Sequence, residues 1–214
     1  MQPNTETAFS PKDDSPDALV ARAQALVPKL RARQAETEKA GHVLPEAIAS
    51  FQAADLYRVV QPKKYGGYEY GIDTFVRVAM AIASGCGSTG WVFSTGAQHQ
   101  WQIGLFAPEA QEEIWGSDRT ALAASSYAPT GVAMAEGDGY RLSGKWSFCS
   151  GVDTAQWMLL GVRISPAEGV EPTQVGFALI PKSDYRIEEN WDVLGLIGVV
   201  VGAGLRTPLS SGDH

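Results

Sequence analysis

Ala121-Leu122-Ala123-Ala124-Ser125-Ser126-Tyr127 marks the place where the periodicity of this chain changes. Before residue 117, apolar side chains recur every three or four positions, as on one face of a helix. After it, short apolar runs alternate with Gly- and Pro-containing turns, as strands do. Helices first and strands second give an α+β class, with an N-terminal helical domain at 16–117 and an antiparallel β domain at 118–198. Residues 1–15 read as a disordered leader, because Pro, Thr and Asp dominate and little there can be buried.

Working back from the junction, the spacing predicts a short helix from Pro108 to near Gly116 and a longer one from Thr89 to Leu105. Before these comes a helix capped by Asp73 that carries Phe75, Val76, Val78, Ala79, Ile82 and Ala83. Tyr65-Gly66-Gly67-Tyr68 is a loop, and Pro45 to Asp55 a helix. Ser15-Pro16-Asp17 supplies a capping hydroxyl, a first-turn proline and an acid at the positive helix end. The helix it starts runs through Leu19, Val20, Ala23, Leu26, Val27 and Leu30 to Gly41, with a kink expected at Pro28. Working forward, Val132–Glu136, Gly137-Asp138-Gly139 and Tyr140–Ser143 read as a hairpin. Trp157–Ile164 and Val175–Ile180 read as further strands.

A hydrophobic content of 44% over 214 residues is enough for a sizeable core. The formal net charge of -7 and the lack of a basic cluster argue against a nucleic-acid partner. No run approaches the ~18 apolar residues of a membrane span, and the first residues lack an apolar signal core. A soluble, cytoplasmic protein without membrane association is therefore expected. Cys86 and Cys149 lie too far apart in sequence to suggest a disulfide framework, and His42, His99 and His214 are too scattered to suggest a metal site.

Three segments carry possible chemistry. In Ser88–Trp101, Trp91, Thr95, Gln98 and His99 share one broad helical face, as on a helix lining a cavity; ordinary helix packing gives the same stripe. Ser125, Ser126 and Tyr127 put consecutive hydroxyls at a strand end before Pro129, where they can bond a ligand's carbonyl or ring nitrogen; a serine-rich turn is the plainer reading. In Gly144-Lys145-Trp146-Ser147-Phe148-Cys149-Ser150-Gly151, strand alternation puts Trp146 and Phe148 on one side, suited to a flat heterocycle and equally to a core.

Gly87-Ser88-Thr89-Gly90-Trp91, His99, Ser125-Ser126-Tyr127-Ala128-Pro129, Gly144–Gly151 and Asn190-Trp191-Asp192-Val193-Leu194-Gly195-Leu196 occur in this order. The ordered set resembles the flavin-dependent monooxygenases of the acyl-CoA dehydrogenase superfamily, over roughly residues 17–198. It is most similar to the oxygenase components that hydroxylate p-hydroxyphenylacetate and the phenolic secosteroid of bacterial steroid breakdown. The resemblance implies a two-component system: an oxygenase that takes reduced flavin (FMNH2 or FADH2) from a separate flavin reductase, reacts it with O2 to a C4a-hydroperoxide, and hydroxylates a small aromatic substrate. It also implies a homo-oligomer. It assigns His99 to the substrate's phenolic oxygen, where a histidine of near-neutral pKa would favour the phenolate. Trp91 falls beside the flavin pocket, Ser125 or Ser126 by flavin and substrate, Ser150 at the flavin N5 region, and Trp146 and Phe148 as walls of the isoalloxazine.

The likeness stops near Gly198. The family continues into a four-helix bundle, and its Gly-Thr-Gly-Ser-like continuation and following strand are replaced here by an aberrant tail at 199–214. A truncation or frame change is the expectation, which leaves the activity of this length of chain open. Gly202, Gly204 and Thr207 imitate a dinucleotide fingerprint, but the third glycine is missing. The rival readings are an acyl-CoA dehydrogenase, although Thr-Glu-Pro and Gly-Ser-Asp patterns do not stand where that enzyme carries them, and a non-catalytic remnant.

Overall fold

The computed structural model describes residues 13–188 and 203–206, the latter as backbone. Six helices come first: α1 (Pro16–Ala32), α2 (Gln34–Ala40), α3 (Pro45–Ala53), α4 (Ile72–Ala83), α5 (Gly87–Ile103) and α6 (Pro108–Trp115). Short 3-10 turns occupy Leu56–Arg58 and Lys63–Tyr65. Six strands follow: β1 (Ala123–Glu136), β2 (Gly139–Trp146), β3 (Trp157–Ser165), β4 (Gln174–Pro181), β5 (Arg186–Ile187) and β6 (Ala203–Arg206). The α+β class expected from the change of period is the class observed.

Local chemistry explains where the helices differ from the sequence reading. Ser15 Oγ caps α1 by accepting from the Ala18 amide at 3.2 Å. Pro28 does not end α1: Pro28 and Gln24, whose carbonyl it cannot serve, are both exposed, so water can take that role. The break comes instead at Arg33, splitting the expected single helix into α1 and α2. Gly71, not Asp73, caps α4, and Asp73 sits in its first turn. Residues 1–12 of the expected leader lie outside the described residues. Asp14, at its end, is held in place: its carboxylate accepts from Arg22 at 2.7 Å and Tyr68 at 3.0 Å, and its carbonyl from Tyr70 at 2.8 Å.

The sheet runs β4-β3-β1-β2-β6-β5 and is mixed, which corrects the antiparallel expectation. β1 and β2 form the expected hairpin, Val132 opposite Ser143. The chain then crosses the sheet through residues 147–156, burying Cys149, Val152 and Ala155, and enters β3 on the far side of β1. Two reversals make β3 parallel to β1, with Ala123 opposite Trp157 and Ser126 opposite Leu160. Within the tail, residues 203–206 pair with β2, Gly204 opposite Lys145. Gly204 thus lies in a strand; Gly202 and Thr207 of the imitated fingerprint lie outside the described residues, as do Asn190–Leu196.

One core fills the helices around Leu19, Phe51, Phe93 and Ile82, and another lies under the sheet around Trp146, Met158 and Leu160. Tyr65, Ile103, Ile114 and Trp115 join Ala121 and Ala123 in a third, so α5 and α6 are fastened to the start of β1. Burial of this size is the main favourable term holding helices to sheet. Cys86 and Cys149 are both buried, and among the described residues no helix is long and apolar enough to cross a membrane.

β1 bulges between Ser126 and Gly131, where Tyr127–Thr130 face the single residue Gly161. A β-carbon on Gly161 would lie 2.2 Å from the Tyr127 carbonyl oxygen, a backbone atom that cannot swing away. Gly161→Ala should therefore force β1 and β3 apart and cost about 1–3 kcal/mol, as overpacking does. A thermal melt checks this, and an unchanged midpoint would show that the bulge yields freely.

Candidate active site

α5 supplies one wall of a concavity. Ten of its residues are buried, including Val92, Phe93, Gly96 and Ala97. Gly90 permits the packing: a β-carbon there would lie 2.5 Å from Ala83 Cα of α4. The small residues of this helix thus serve close packing, and the remaining face presents Trp91, Thr95, Gln98 and His99 to a cavity of about 410 Å³. The opposite wall is the end of β1, with Ser125, Ser126, Tyr127 and Ala128, and the start of the crossover, with Ser147, Phe148 and Ser150. Groups up to 59 residues apart in sequence therefore converge, as in the 3.0 Å hydrogen bond from Trp91 Nε1 to Ser150 Oγ.

His99 is 1% exposed. Its Nδ1 lies 2.8 Å from the Ala123 carbonyl oxygen. A carbonyl only accepts, so Nδ1 carries the proton and Nε2 is a bare acceptor. Nε2 is buried and has no partner among the described residues. Burial pushes the imidazole pKa down to about 4, against a smaller upward pull from the Ala123 carbonyl. This corrects the near-neutral value expected of it: the ring is uncharged at neutral pH and a weak base, fitted to accept a hydrogen bond rather than to remove a phenol's proton outright.

The hydroxyls differ in what they have left to offer. Ser126 gives its proton to the Ser147 carbonyl at 2.6 Å, so toward a ligand it can only accept. Ser150 accepts from Trp91, which leaves its own proton to donate. Tyr127 accepts from Gln98 Nε2 at 2.9 Å and donates to Gln102 Oε1 at 2.6 Å. Its ring stands edge-on to His99 at 6.2 Å between centroids and to Phe177 at 5.4 Å.

Of the residues singled out in the sequence, Trp91, His99, Ser125, Ser126, Phe148 and Ser150 surround this one cavity. Trp146 does not. It is 0% exposed, packs in the core under the sheet, and donates from Nε1 to the Gly161 carbonyl at 2.7 Å. Strand alternation fails here because β2 ends at Trp146 and Phe148 adopts a left-handed φ of 61°. That conformation turns the Phe148 ring outward, where it is 71% exposed. A bulky residue held at positive φ is strained, as residues at binding sites often are. Ser147 was not picked as a site residue, and Tyr127 was singled out only as one of three consecutive hydroxyls, with no role of its own. Tyr127 could have been found from Gln98, since a polar side chain beside His99 on the cavity face needs a partner across it.

Comparison with known proteins relates this chain to a family. The profile for the acyl-CoA dehydrogenase N-terminal domain matches residues 15–120. The oxygenase subunit HsaA of a flavin-dependent monooxygenase from Rhodococcus jostii (strain RHA1) is 39% identical over 177 residues, 83% of this chain and 46% of that protein. The oxygenase component of an FADH(2)-dependent resorcinol hydroxylase from Rhizobium sp. (strain MTP-10005) is 37% identical over 85% of this chain and 44% of its own length. The crystal structure of the HsaA monooxygenase from M. tuberculosis superimposes with a TM-score of 0.86 at 33% identity, over 90% of this chain and 52% of that one. Over this shared length the chain is related to the flavin-dependent monooxygenases of the acyl-CoA dehydrogenase superfamily. It spans about half the length of the curated relatives it matches.

Proposed function

We propose that this chain carries a flavin- and substrate-facing portion of the oxygenase component of a two-component monooxygenase that hydroxylates a small phenol. The observation that carries the reading is His99, which lines the same cavity as Phe148 and Ser150 and whose buried Nε2 has no partner among the described residues. An orphaned buried acceptor is costly unless a ligand's donor meets it, and a phenolic O–H is such a donor.

The lining also fits a flat redox ring. Phe148 and Trp91 offer exposed aromatic surface, and Ser150 offers a hydroxyl proton to a ring nitrogen. Reduced flavin, FMNH2 or FADH2, would supply the activation of O2 that aromatic hydroxylation needs. The chain's own groups do the rest. His99 Nε2 accepts from the phenol and fixes its orientation, drawing electron density toward the ring without taking a full charge. Ser125, and Ser126 as an acceptor, position ligand polar groups at the end of β1. The Trp91–Ser150 bond holds the donor hydroxyl in place. The relatives named as oxygenase subunits or components support a separate flavin reductase as partner; a cytoplasmic location and a homo-oligomeric assembly belong to the same proposal.

Titration with FMNH2 under nitrogen, read through the Trp91 indole resonance, tests the flavin part. Ser150→Ala and Phe148→Ala should each weaken binding roughly tenfold, the worth of one hydrogen bond or one aromatic contact. Binding that is equal in both variants and the parent chain would defeat the reading.

A further inference from the structure

A second cavity, of about 390 Å³, adjoins the one just described and shares Gln98 with it. Its lining is apolar: Val60, Tyr70, Ile72, Phe75 and Trp101 besides Gln98. Ile72 is 70% exposed and Trp101 53%, so this apolar surface is open. Trp101 lies three residues beyond Gln98 on α5, about 4.5 Å along the helix axis. Gln98 is held where the two spaces meet by its bond to the Tyr127 hydroxyl, which in turn bonds Gln102. The clasp ties α5 to the bulge of β1 and leaves the cavity of His99 and the β1 serines on one side and the apolar annex on the other.

We propose that Gln98, clamped by Tyr127, determines specificity: the phenol held at His99 carries a linear apolar substituent that passes Gln98 into the apolar annex. The proposal deepens the phenol-hydroxylase reading and rests on it. The polar lining at Ser125, Ser126 and His99 suits the hydroxylated end of such a molecule. The annex suits a hydrocarbon chain, whose burial against Phe75 and Trp101 is favourable in proportion to its area. Gln98 and Tyr127 narrow the passage, so a branched substituent fits worse than a linear one.

The test compares phenol, 4-n-hexylphenol and 4-tert-octylphenol on the whole chain with saturating FMNH2 under nitrogen, following the indole resonances of Trp91 and Trp101. The hexyl compound should bind at least roughly tenfold more tightly than phenol, a gain that two buried methylenes supply. It should move the Trp101 resonance, which phenol leaves still. Trp101→Ala should abolish that gain and leave phenol affinity unchanged. Tyr127→Phe keeps the ring and releases both glutamines, so it should bring the branched phenol to within about threefold of the linear one. If phenol binds but the hexyl group adds nothing and Trp101 stays silent, the annex proposal is overturned and the phenol reading stands. If Tyr127→Phe leaves the linear-to-branched ratio unchanged, the clasp is not the determinant. If phenol fails to bind and Trp101 does not respond to the hexyl compound, both fall together.

Discussion

Trp146→Ala should lower the unfolding free energy by about 3–5 kcal/mol, the usual cost of deleting a fully buried large aromatic. For a domain of this size that corresponds to a melting point lower by roughly 10 °C. The indole is 0% exposed and touches three parts of the sheet at once. Its Nε1 donates to the Gly161 carbonyl of β3 at 2.7 Å. Its six-membered ring lies so close to Gly131 of β1 that a β-carbon there would fall 2.0 Å from Cζ2. It also covers Gly144 of its own strand, where a β-carbon would come within 2.7 Å of Cη2. Truncation opens a cavity and also strands a buried carbonyl. Trp146→Phe should recover part of the packing but not the hydrogen bond, and fall between the two. Thermal or urea unfolding measures all three proteins. A loss of flavin affinity with an unchanged melting point would return Trp146 to the ligand wall.

The misplacement of Trp146 shows what a linear sequence conveys about this fold and what it does not. Helical faces were legible because one element decides them: the stripe of Trp91, Thr95, Gln98 and His99 depends only on 3.6-residue spacing, and it faces the cavity as that spacing predicts. The hairpin at Gly137-Asp138-Gly139 was legible for the same reason, since a tight turn fixes its own register. The pairing of β1 with β3 was not. It depends on a crossover, residues 147–156, whose buried positions Cys149, Val152 and Ala155 follow no regular period. The left-handed φ of Phe148 likewise leaves no mark in the residue type, because phenylalanine is a poor occupant of that region. The residues that converge on the site were visible one by one. Their hydrogen-bond polarity was not, because it is set by partners far along the chain: Ala123 for His99, Ser147 for Ser126, Trp91 for Ser150.

The partner of His99 leads to the second large effect, which is on stability against pH. An ordinary histidine titrates near 6.5, and burial lowers His99 to about 4 in the folded chain. Between those values the unfolded chain takes up a proton that the folded chain refuses, so stability falls as the medium is acidified. The contribution is complete above about pH 6.5 and declines toward pH 4. For a displacement of this size, about 3 kcal/mol should be lost between neutrality and pH 4 through His99 alone. Carboxylates that are paired in the fold, such as Glu36 beside Arg33, also lose stability on acidification, so the raw pH profile mixes several groups. His99→Gln isolates the histidine, because the amide can still donate to the Ala123 carbonyl and does not titrate. Urea unfolding of both proteins from pH 7 to pH 4 should show the parent chain losing about 3 kcal/mol more than the variant. Parallel profiles would mean that the imidazole is solvated and charged on acidification. The water-shielded Nε2 acceptor required for the phenol would then not exist.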